Sequence, residues 1–524
     1  MSNRFLKSFT YIYLLLPILI FIIGWVKPLI AIVPVVFGIL IIRKMIKNSN
    51  QELEATEKII LKKDLYILFG LITLICVWGG LGGFFYQSSD WNYRNAIFRD
   101  LINYKWPVFY RNSALTYYIG IWMVPAMIGK AFLPLGEGVA WQVGNIALLL
   151  WCSIGITMVI LWLIKIWKIK NLKRIIIVLV LFLGFSGLDM LGCIIQAKYH
   201  YNAVAINPNL LPANYFINNN SKNLLLEDAM HLERWTTFFQ FSSMITQIFW
   251  VFNQAIVPWL ITIVFMEETC VKKYALLLIV CMAYGPLPAV GLCFFMMIRG
   301  IKFLIIAIRQ KKIKDFIKDI FSPENIVALF LIFPIYFFYY TNNSAINDEL
   351  GNGLRIIKEV LNLKGIAIFV LFYVLEVGLY GLVLWKRNKK NELFIGAFIA
   401  LIWIPFVAIG NAYDFGMRAS IPALVIIDYY FVEFVIAELE KIKEAKFIEI
   451  FKSHLGFIFV ILIFAFGLFT PMVEMTRGFV AIESNIPLKA DNVYSLSRKR
   501  VESITNFVCV NPKENSIFFK YIAK

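Results

Sequence analysis

The amino-acid sequence predicts an all-α fold, a polytopic transmembrane helical bundle. Of the 524 residues, 60% are hydrophobic and only 16% are charged, and the mean hydropathy is +0.74. Soluble globular domains are far less apolar. Many apolar runs reach the roughly 20 residues that cross a bilayer as a helix, and the alternating strands of a membrane barrel are missing from the pattern. An integral membrane protein is therefore expected.

The apolar runs predict thirteen crossings that start from a cytoplasmic N-terminus. They lie near residues 8–25, 29–42, 65–85, 139–164, 175–188, 243–265, 274–289, 291–308, 326–341, 366–385, 393–409, 421–437 and 455–472. A second run follows the first at once, and no small-residue cleavage site separates them. The first run is therefore expected to be an anchor and not a removable signal peptide. An odd number of crossings places the C-terminus outside the cell.

The net charge of +18 comes with short basic loops between the apolar runs. These loops lie at 43–64, 165–174, 309–318, 386–390 and 441–452. Lysine and arginine accumulate in cytoplasmic loops, and every one of these loops falls inside when the crossings are counted. The charge thus predicts the orientation of a multi-pass membrane protein. Its partner is membrane lipid and not nucleic acid.

The long polar segments fall outside on the same count. They are 86–113, 190–240, 342–365, 410–420 and 473–524. Four regions are expected along the chain. These are an N-terminal transmembrane hairpin with a cytoplasmic loop (1–64), a module with the first large outside loops (65–310), a C-terminal transmembrane bundle (311–472) and an extracytoplasmic tail (473–524).

One further apolar segment, 114–132, is long enough to cross but is not counted. A crossing here would move the basic loop 165–174 outside and would place Asp90 and Asp189 on opposite faces. The tyrosine, tryptophan, proline and glycine residues of the segment permit a different arrangement. We expect it to be tilted, re-entrant or interfacial.

The first large outside loop holds the first candidate site. A helix beginning near Asp90 would place Trp91, Phe98 and Ile102 on one stripe. This aromatic stripe is expected to rest among the lipid headgroups, as in an interfacial helix. On the neighbouring stripe, Asp90 and Arg94 lie one turn apart and offer a proton acceptor beside a permanent cation. An ordinary ion pair on an interfacial helix would show the same pattern.

Asp189 is the second candidate. It ends an apolar run and is flanked by Gly184, Gly187 and Gly192, whose lack of a side chain lets the backbone come close to a neighbour. An ionisable residue at membrane depth is costly unless it is paired or functional. The alternative is an aspartate at a helix end that faces water.

The end of the second long outside loop brings His231, Glu233 and Trp235 to the expected outer surface. Gln240 and Asn253 are among the amides that follow, interspersed with aromatic residues. Amides beside aromatic rings suit carbohydrate, because sugar hydroxyls need hydrogen bonds and sugar C–H faces stack on rings. Each amide could equally form a hydrogen bond between helices.

The outside loop 410–420 carries Asp414 and Arg418, again four residues apart. Arg418 could hold a phosphate through two N–H groups. It could also pair only with Asp414.

Motifs for several other chemistries are missing from the sequence. It contains no Walker A loop, no GxGxxG after a strand, no HExxH and no GxSxG elbow. The seven cysteines form no CxxC pair, and there are three histidines. Neither a disulfide framework nor a multi-histidine metal centre is predicted.

Taken together, these features resemble the GT-C superfamily of polytopic glycosyltransferases that use lipid-linked sugars. The shared features are an acidic residue in the first outside loop, an interfacial helix after it, a second acidic residue at the next outside loop and a bundle of over ten helices. The segments "DWNYRNAIFRDLINYKWPVFY", "FSGLDMLG", "FFQFSSMITQIFWVFNQAIVPW", "DFGMRASIPAL" and "FFKYIAK" look like a group of largely uncharacterised bacterial membrane proteins of this type. Residues 1–64 and 310–400 carry little of the likeness.

The resemblance implies that region 65–310 is a catalytic module. The donor would be a sugar on polyprenyl phosphate, and the acceptor an unknown glycan, lipid or protein. Asp90 would be the general base, and Asp189 would bind a divalent metal or orient the acceptor. Arg94 or Arg418 would hold the donor phosphate. The other expected substrate-binding residues are Trp91, Glu233, Trp235, Gln240, Asn253 and Asp414.

Arg94 departs from the pattern of the family, in which related sequences more often have histidine. Arginine does not exchange protons near neutral pH. The resemblance therefore implies an anion-binding role for Arg94, and not a proton shuttle.

Two other classes of function remain open. A flippase or transporter of lipid-linked glycans would also have many helices with aromatic, amide-rich walls, and it should place ionisable residues near the midplane. Glu376 and Asp428 are such residues, whereas the other candidate acids cluster at one face. The second class is a polysaccharide polymerase of the O-antigen ligase type.

Overall fold

The computed structural model describes residues 1–51, 56–199, 231–236, 238–344, 354–409, 414–442, 454–483 and 494–524. The described chain is mostly helical, which confirms the predicted all-α class. Within these ranges, nine helices are long and apolar enough to cross a membrane. They are Asn3–Trp25, Pro28–Gln51, Glu137–Ile166, Leu172–Gln196, Met244–Glu267, Pro286–Arg309, Ile313–Tyr340, Leu363–Asn388 and Leu455–Ala481. The protein is therefore a multi-pass membrane protein.

The other four predicted crossings are helical as well. They coincide with Lys62–Trp78, Tyr274–Tyr284, Glu392–Trp403 and Ile421–Ile442. Two of these helices have only 11 and 12 residues, which at about 1.5 Å per residue is shorter than a bilayer core. The exact number of crossings stays a prediction.

The uncounted segment 114–132 is not one continuous helix. It contains most of the strand Ser113–Leu115, a 3-10 turn at Gly120–Trp122 and the helix Met123–Ala131. A nine-residue helix rises only about 14 Å, which is less than half of the roughly 30 Å of a hydrocarbon core. The segment therefore does not form a straight crossing helix.

Contacts between segments divide the chain into two units. Unit 1 comprises Met1–Lys170, Phe252–Gly353 and Leu488–Lys524, and unit 2 comprises Asn171–Val251 and Leu354–Pro487. The division falls within the helix Met244–Glu267, whose helical geometry is interrupted at Val251 (φ −138°, ψ 32°). The four regions expected from the sequence are consecutive along the chain, whereas each unit combines separate segments. The division into four regions stays a prediction.

In unit 1, the two ends of the helix Asn3–Trp25 hold the two ends of the chain. The amino group of Met1 donates to the Ile60 carbonyl oxygen at 2.7 Å, beside the start of this helix. At its other end, the Lys524 N–H donates to the Trp25 carbonyl oxygen at 3.0 Å. A helix of 23 residues is about 35 Å long, which is enough to cross a bilayer. The two termini therefore lie at opposite ends of this helix.

Segments that were expected to lie outside contact one another in unit 1. The strand Ser113–Leu115 pairs antiparallel with the strand Val508–Val510. Asn343 donates through Nδ2 to the Thr116 carbonyl oxygen at 2.8 Å. The first outside loop and the tail thus form one polar end of unit 1.

The basic loops that were expected to lie inside also meet acidic partners in unit 1. The lysine Nζ to carboxylate distances are 2.8 Å for Lys44–Glu324, 3.2 Å for Lys170–Glu57 and 3.3 Å for Lys272–Asp319. At least one side chain of each pair is exposed, so each pair is worth little stability. The pairs show that these predicted cytoplasmic segments lie close to one another in unit 1.

Unit 2 is built from helices and one small antiparallel sheet. The helix Ile421–Ile442 packs against Glu392–Trp403 and Leu172–Gly184, and the strand Leu354–Ile356 pairs with Val407–Ile409. A wide π-helical turn at Val374–Gly378 interrupts the span Leu363–Asn388. Shorter helices among the described residues of both units include Trp91–Asn103, Asp189–Tyr199, Ile313–Ile320, Pro323–Val327, Phe333–Tyr340, Asp414–Ala419, Phe469–Glu483, Val501–Ile504 and Pro512–Asn515.

A pair of cysteine variants tests the opposite placement of the two ends of unit 1. Lys513 and Lys58 are both exposed and belong to the C-terminal end and the N-terminal end respectively, whereas the native Cys509 is buried and is a poor reporter. We expect Lys513→Cys to react with a membrane-impermeant maleimide in intact cells. Lys58→Cys should react only after permeabilisation, and reaction of both in intact cells would contradict the placement.

Candidate functional site

A glycine-rich turn positions the start of the first candidate site in unit 1. Gly80, Gly82 and Gly83 have positive φ angles of 86°, 86° and 74°, which side chains with a Cβ rarely adopt. Gln87 donates through Nε2 to the Gly80 carbonyl oxygen at 2.8 Å, and its own Oε1 accepts from Asn95 Nδ2 at 2.7 Å. These hydrogen bonds fix the turn against the helix Trp91–Asn103.

Asp90 and Arg94 form the predicted ion pair at the start of this helix. Arg94 Nη2 lies 2.9 Å from Asp90 Oδ2, and the side chains are 8% and 50% exposed. The carboxylate is therefore accessible to solvent while its cationic partner is buried. Among the described residues, Arg94 Nη1 is buried without a hydrogen-bond partner, so the guanidinium retains a donor for a further acceptor.

An aromatic cluster lies beside the Arg94 guanidinium. The Arg94 guanidinium carbon is 6.0 Å from the centroid of the Phe252 ring, within the range of a weak cation–π contact. Phe252 stacks on Trp91 at 5.1 Å and meets Trp122 edge to face at 5.8 Å. The helix Trp91–Asn103 is thereby attached to the second half of the helix Met244–Glu267.

The expected lipid-facing aromatic stripe of this helix is wrong. Trp91, Phe98 and Ile102 are at most 2% exposed, and Phe98 packs against Trp141 with ring centroids 5.7 Å apart. The periodicity correctly predicts that these residues share one face of the helix. That face is covered by the protein, because burying aromatic area against other rings is as favourable as burying it among headgroups.

Two amides follow Phe252 in the helix. Asn253 is 1% exposed, and within the described chain neither its Nδ2 nor its Oδ1 has a hydrogen-bond partner. Gln254 donates through Nε2 to the Tyr118 hydroxyl at 3.0 Å, while its Oε1 is likewise unpartnered there. A buried polar group without a partner costs free energy. These amides are therefore available to a ligand or to water.

Asp100, on the same helix, is a buried acid that the sequence reasoning missed. Its Oδ2 accepts from the Tyr110 hydroxyl at 2.7 Å and from the Leu496 N–H at 3.0 Å. Burial raises the pKa of Asp100 from 3.8 to about 6, although these hydrogen bonds act in the opposite direction. Asp100 thus ties the first outside loop to the tail. The sequence contained one signal for Asp100, because it places an acidic residue on the apolar face of an amphipathic helix.

In unit 2, Asp189 is buried and does not face water. Its Oδ2 accepts from the Thr470 hydroxyl at 2.8 Å and from the Ser186 hydroxyl at 3.3 Å. The Glu376 carboxyl group lies against the backbone at Gly187, two residues before Asp189. Glu376 comes from the wide turn Val374–Gly378, and such turns are frequent at functional sites.

The glycines around Asp189 permit close approach, as the sequence predicts. A Cβ on Gly187 would collide with the Glu376 carboxyl group, and a Cβ on Gly192 would collide with the Trp235 indole. Trp235 in turn donates through Nε1 to Glu376 Oε1 at 3.2 Å. The glycines thus allow Glu376 and the tryptophan to pack against the backbone around Asp189.

The expected outer-surface position of Glu233 and Trp235 is wrong. Both are at most 1% exposed, and His231 is also buried. Glu233 accepts from the Ser243 N–H at 2.8 Å and from Gln240 Nε2 at 3.1 Å. Burial raises the pKa of Glu233 to about 8, and the neighbouring Asp189 carboxyl adds to the rise. These backbone and amide donors explain why Glu233 lies in the interior and not on the surface.

A second buried network in unit 2 was not expected from the sequence. Glu474 accepts from Trp250 Nε1 at 2.8 Å and from Arg477 Nη2 at 3.2 Å, and it lies 3.1 Å from His231 Nδ1. Asp414 and Arg418 form a separate ion pair, and a phosphate-binding role for Arg418 stays a prediction. A Glu and an Arg three residues apart near the end of an apolar run were the available signal for Glu474 and Arg477.

The metal role that the resemblance implies for Asp189 finds no ligand set in the described ranges. No group of three or more His, Cys, Asp and Glu side chains is arranged there to hold a metal ion. Asp189 Oδ2 instead accepts hydrogen bonds from two hydroxyl groups. The described residues therefore do not fit the metal.

Comparison of the chain with protein-family models, curated proteins and solved structures found no match. The GT-C resemblance accordingly stays a prediction.

A glycine substitution tests the packing around Asp189. Gly192→Ala places a methyl group against the Trp235 ring, so we expect a loss of about 1–3 kcal/mol of stability. Gly300→Ala is the control, because nothing lies within 4 Å of a Cβ in that helix, and it should stabilise by up to about 1 kcal/mol. Thermal unfolding in detergent measures both, and equal melting temperatures would contradict the packing.

The pKa of Asp100 predicts a pH dependence of stability. Because this pKa is raised from 3.8 to about 6, the folded state binds more protons than the unfolded state between these values. Stability should therefore fall as the pH rises through this window, by about 3 kcal/mol in order of magnitude. The Asp100→Asn variant should lose this component. Thermal unfolding from pH 4 to pH 7 compares the two proteins, and parallel curves would contradict the assignment.

Proposed function

We propose that this protein is a membrane glycosyltransferase that moves a sugar from a polyprenyl-phosphate donor to an acceptor at the extracytoplasmic face. The observation that carries the proposal is the Asp90–Arg94 pair, in which a solvent-accessible carboxylate is held by a buried guanidinium. This arrangement combines a proton acceptor with an anion-binding donor at the predicted outer headgroup level.

The proposed reaction assigns separate roles to the two side chains. The Asp90 carboxylate takes the proton of an acceptor hydroxyl as its oxygen attacks the anomeric carbon. The bond between that carbon and the phosphate oxygen breaks, and polyprenyl phosphate leaves with the bonding electrons. Arg94 stabilises the charge that develops on the phosphate, and its unpartnered Nη1 is the donor available for this contact.

Other residues of unit 1 support binding of a sugar. The Trp91 and Phe252 rings lie directly beside the guanidinium, and Asn253 follows Phe252 in the same helix with unused donor and acceptor atoms. Sugars bind through C–H contacts to rings and through hydrogen bonds to amides. Asp189 belongs to unit 2 and is given no step in the proposed reaction.

Native mass spectrometry of the purified full chain tests the proposal. We expect a co-isolated polyprenyl-phosphate sugar with the wild type. Arg94→Ala should lose this lipid, because the phosphate loses its cation. Asp90→Asn should retain the lipid with its sugar still attached, because the amide cannot accept the hydroxyl proton.

Arg99→Ala is the matched control. Arg99 lies on the same helix, but the Glu137 carboxylate that it contacts at 3.4 Å is exposed. This variant should retain the lipid. Two results together would contradict the transferase proposal and favour a flippase. They are absence of the lipid from the wild type, and transport of a lipid-linked glycan that is unchanged in Asp90→Asn. Loss of the lipid in Arg418→Ala but not in Arg94→Ala would move the phosphate site to Arg418.

A further inference from the structure

A cavity of about 160 Å³ lies in unit 1, at the end that holds the start of the chain. The helix Asn3–Trp25 begins at this cavity, and the helix Glu137–Ile166 ends at it. Its lining includes parts of the basic loops 43–64 and 165–174, which are predicted to be cytoplasmic. The cavity therefore lies where two long apolar helices reach the predicted inner face of the membrane.

Backbone hydrogen bonds fix one wall of this cavity. The Asn3 N–H donates to the Glu57 carbonyl oxygen at 3.0 Å. The Ile59 N–H donates to the Met1 carbonyl oxygen, also at 3.0 Å. These bonds hold the segment against the first residues of the chain without any contribution from its side chains. The side chain of Lys58, which borders the cavity, is exposed.

The turn after the helix Glu137–Ile166 forms a second wall. Lys168 adopts a left-handed conformation (φ 53°), and the Ile169 N–H donates to the Ile164 carbonyl oxygen at 2.8 Å. Glycine is the usual residue in this conformation at a helix end, because a Cβ is unfavourable there. Lys168 instead has an exposed side chain that borders the cavity. The turn thus carries a cation where the backbone favours glycine.

The charged side chains around the cavity are mostly cationic. Lysines contribute four of them and glutamates two. Glu57 is already paired with Lys170 at 3.2 Å. Lys165 Nζ lies 4.4 Å from the centroid of the Trp162 ring, a contact that does not cancel its charge. The second glutamate, Glu267, is exposed. The excess of lysines over glutamates favours an anion in the cavity.

The cavity is also apolar in part. Ile164 and Ile166 line it beside the lysines, and both belong to the last turn of a helix that is long and apolar enough to cross a membrane. A free phosphate ion needs no apolar wall, whereas the glycerol end of an acyl chain gains by contact with one. Basic pockets between membrane helices on the cytoplasmic side can bind phospholipid headgroups. The combined lining therefore suits a phosphate that carries an acyl chain.

We propose that this cavity binds the phosphate group of an anionic phospholipid from the inner leaflet. The ammonium groups of Lys58 and Lys168 donate hydrogen bonds to the phosphate oxygens, and the two isoleucines contact the glycerol end of the lipid. No covalent bond is made or broken. The proposal does not depend on the glycosyl transfer, which uses none of these residues.

Native mass spectrometry of the full chain in detergent tests the site with added probes. Phosphatidylglycerol and phosphatidylcholine are titrated separately. We expect stronger retention of phosphatidylglycerol, because the lysines repel the choline cation of the other lipid. Inorganic phosphate at equal concentration should not displace the bound phosphatidylglycerol, since it lacks the apolar contacts. Equal retention of the two lipids, or displacement by inorganic phosphate, would overturn the proposal.

Two substitutions distinguish the lipid site from a structural role. Lys58→Gln should weaken the retention of phosphatidylglycerol by about fivefold, the order of magnitude that one lysine near an anionic surface contributes. Lys168→Gly should weaken it by a similar factor. Its melting temperature without lipid should not fall, because glycine suits the left-handed turn. Unchanged retention in both variants would overturn the proposal.

Lys312→Gln and Lys314→Gln are the matched controls. Both lysines are exposed on another predicted cytoplasmic segment, and neither of them borders the cavity within the described part of the chain. Each control loses the same charge as Lys58→Gln and should retain phosphatidylglycerol like the wild type. A loss of retention equal to that of Lys58→Gln would indicate attraction to the basic surface as a whole, and this would overturn the site.

Discussion

The cost of removing a charge from water is the constraint on which both parts of this protein depend. In a membrane interior, every buried polar group must find its partner within the protein. Glu474 meets this condition with donors from Trp250 and Arg477 and with His231 beside it. Arg94 meets it only in part, because one Nη binds Asp90 while the other is unpartnered among the described residues. The incompletely satisfied groups are therefore the places where a ligand gains most.

The two units solve this problem in different ways. In unit 1 a cation is buried and its carboxylate stays accessible to solvent, an arrangement that favours an anion such as a phosphate. In unit 2 Asp189 Oδ2 accepts from the Ser186 and Thr470 hydroxyl groups, and Glu376 Oε1 accepts from the Trp235 indole. The same physical cost is thus reduced by an ion pair in one unit and by neutral hydrogen-bond donors in the other.

Irregular backbone lies close to the polar groups in both units. The helix Met244–Glu267 loses its helical geometry at Val251, two residues before Asn253. Glu376 lies in the wide turn Val374–Gly378, and residues 185–188 outside any helix precede Asp189. Such backbone is tolerated at membrane depth only where protein or a cavity covers it. These interruptions provide space and direction for side chains that a regular helix would point elsewhere.

The sequence by itself determined the features that depend on local periodicity and composition. Helix forms over most of each of the thirteen apolar runs, and the helix at Trp91 was predicted correctly. The contacts Asp90–Arg94 and Asp414–Arg418 were among the arrangements that the sequence allowed. A run of apolar residues has to form a helix in lipid, because its backbone has no other hydrogen-bond partners. An Asp and an Arg four residues apart on one helix face are neighbours whatever surrounds them.

Only the tertiary structure decided what covers each face and which distant residues meet. Periodicity groups Trp91, Phe98 and Ile102 on one stripe, but lipid and protein are equally apolar partners for it, so the sequence could not show that protein covers the stripe. Glu376 packs against the backbone that precedes Asp189 because Gly187 allows close approach. Contacts between residues so far apart in the chain depend on the packing of whole helices, which local composition does not encode.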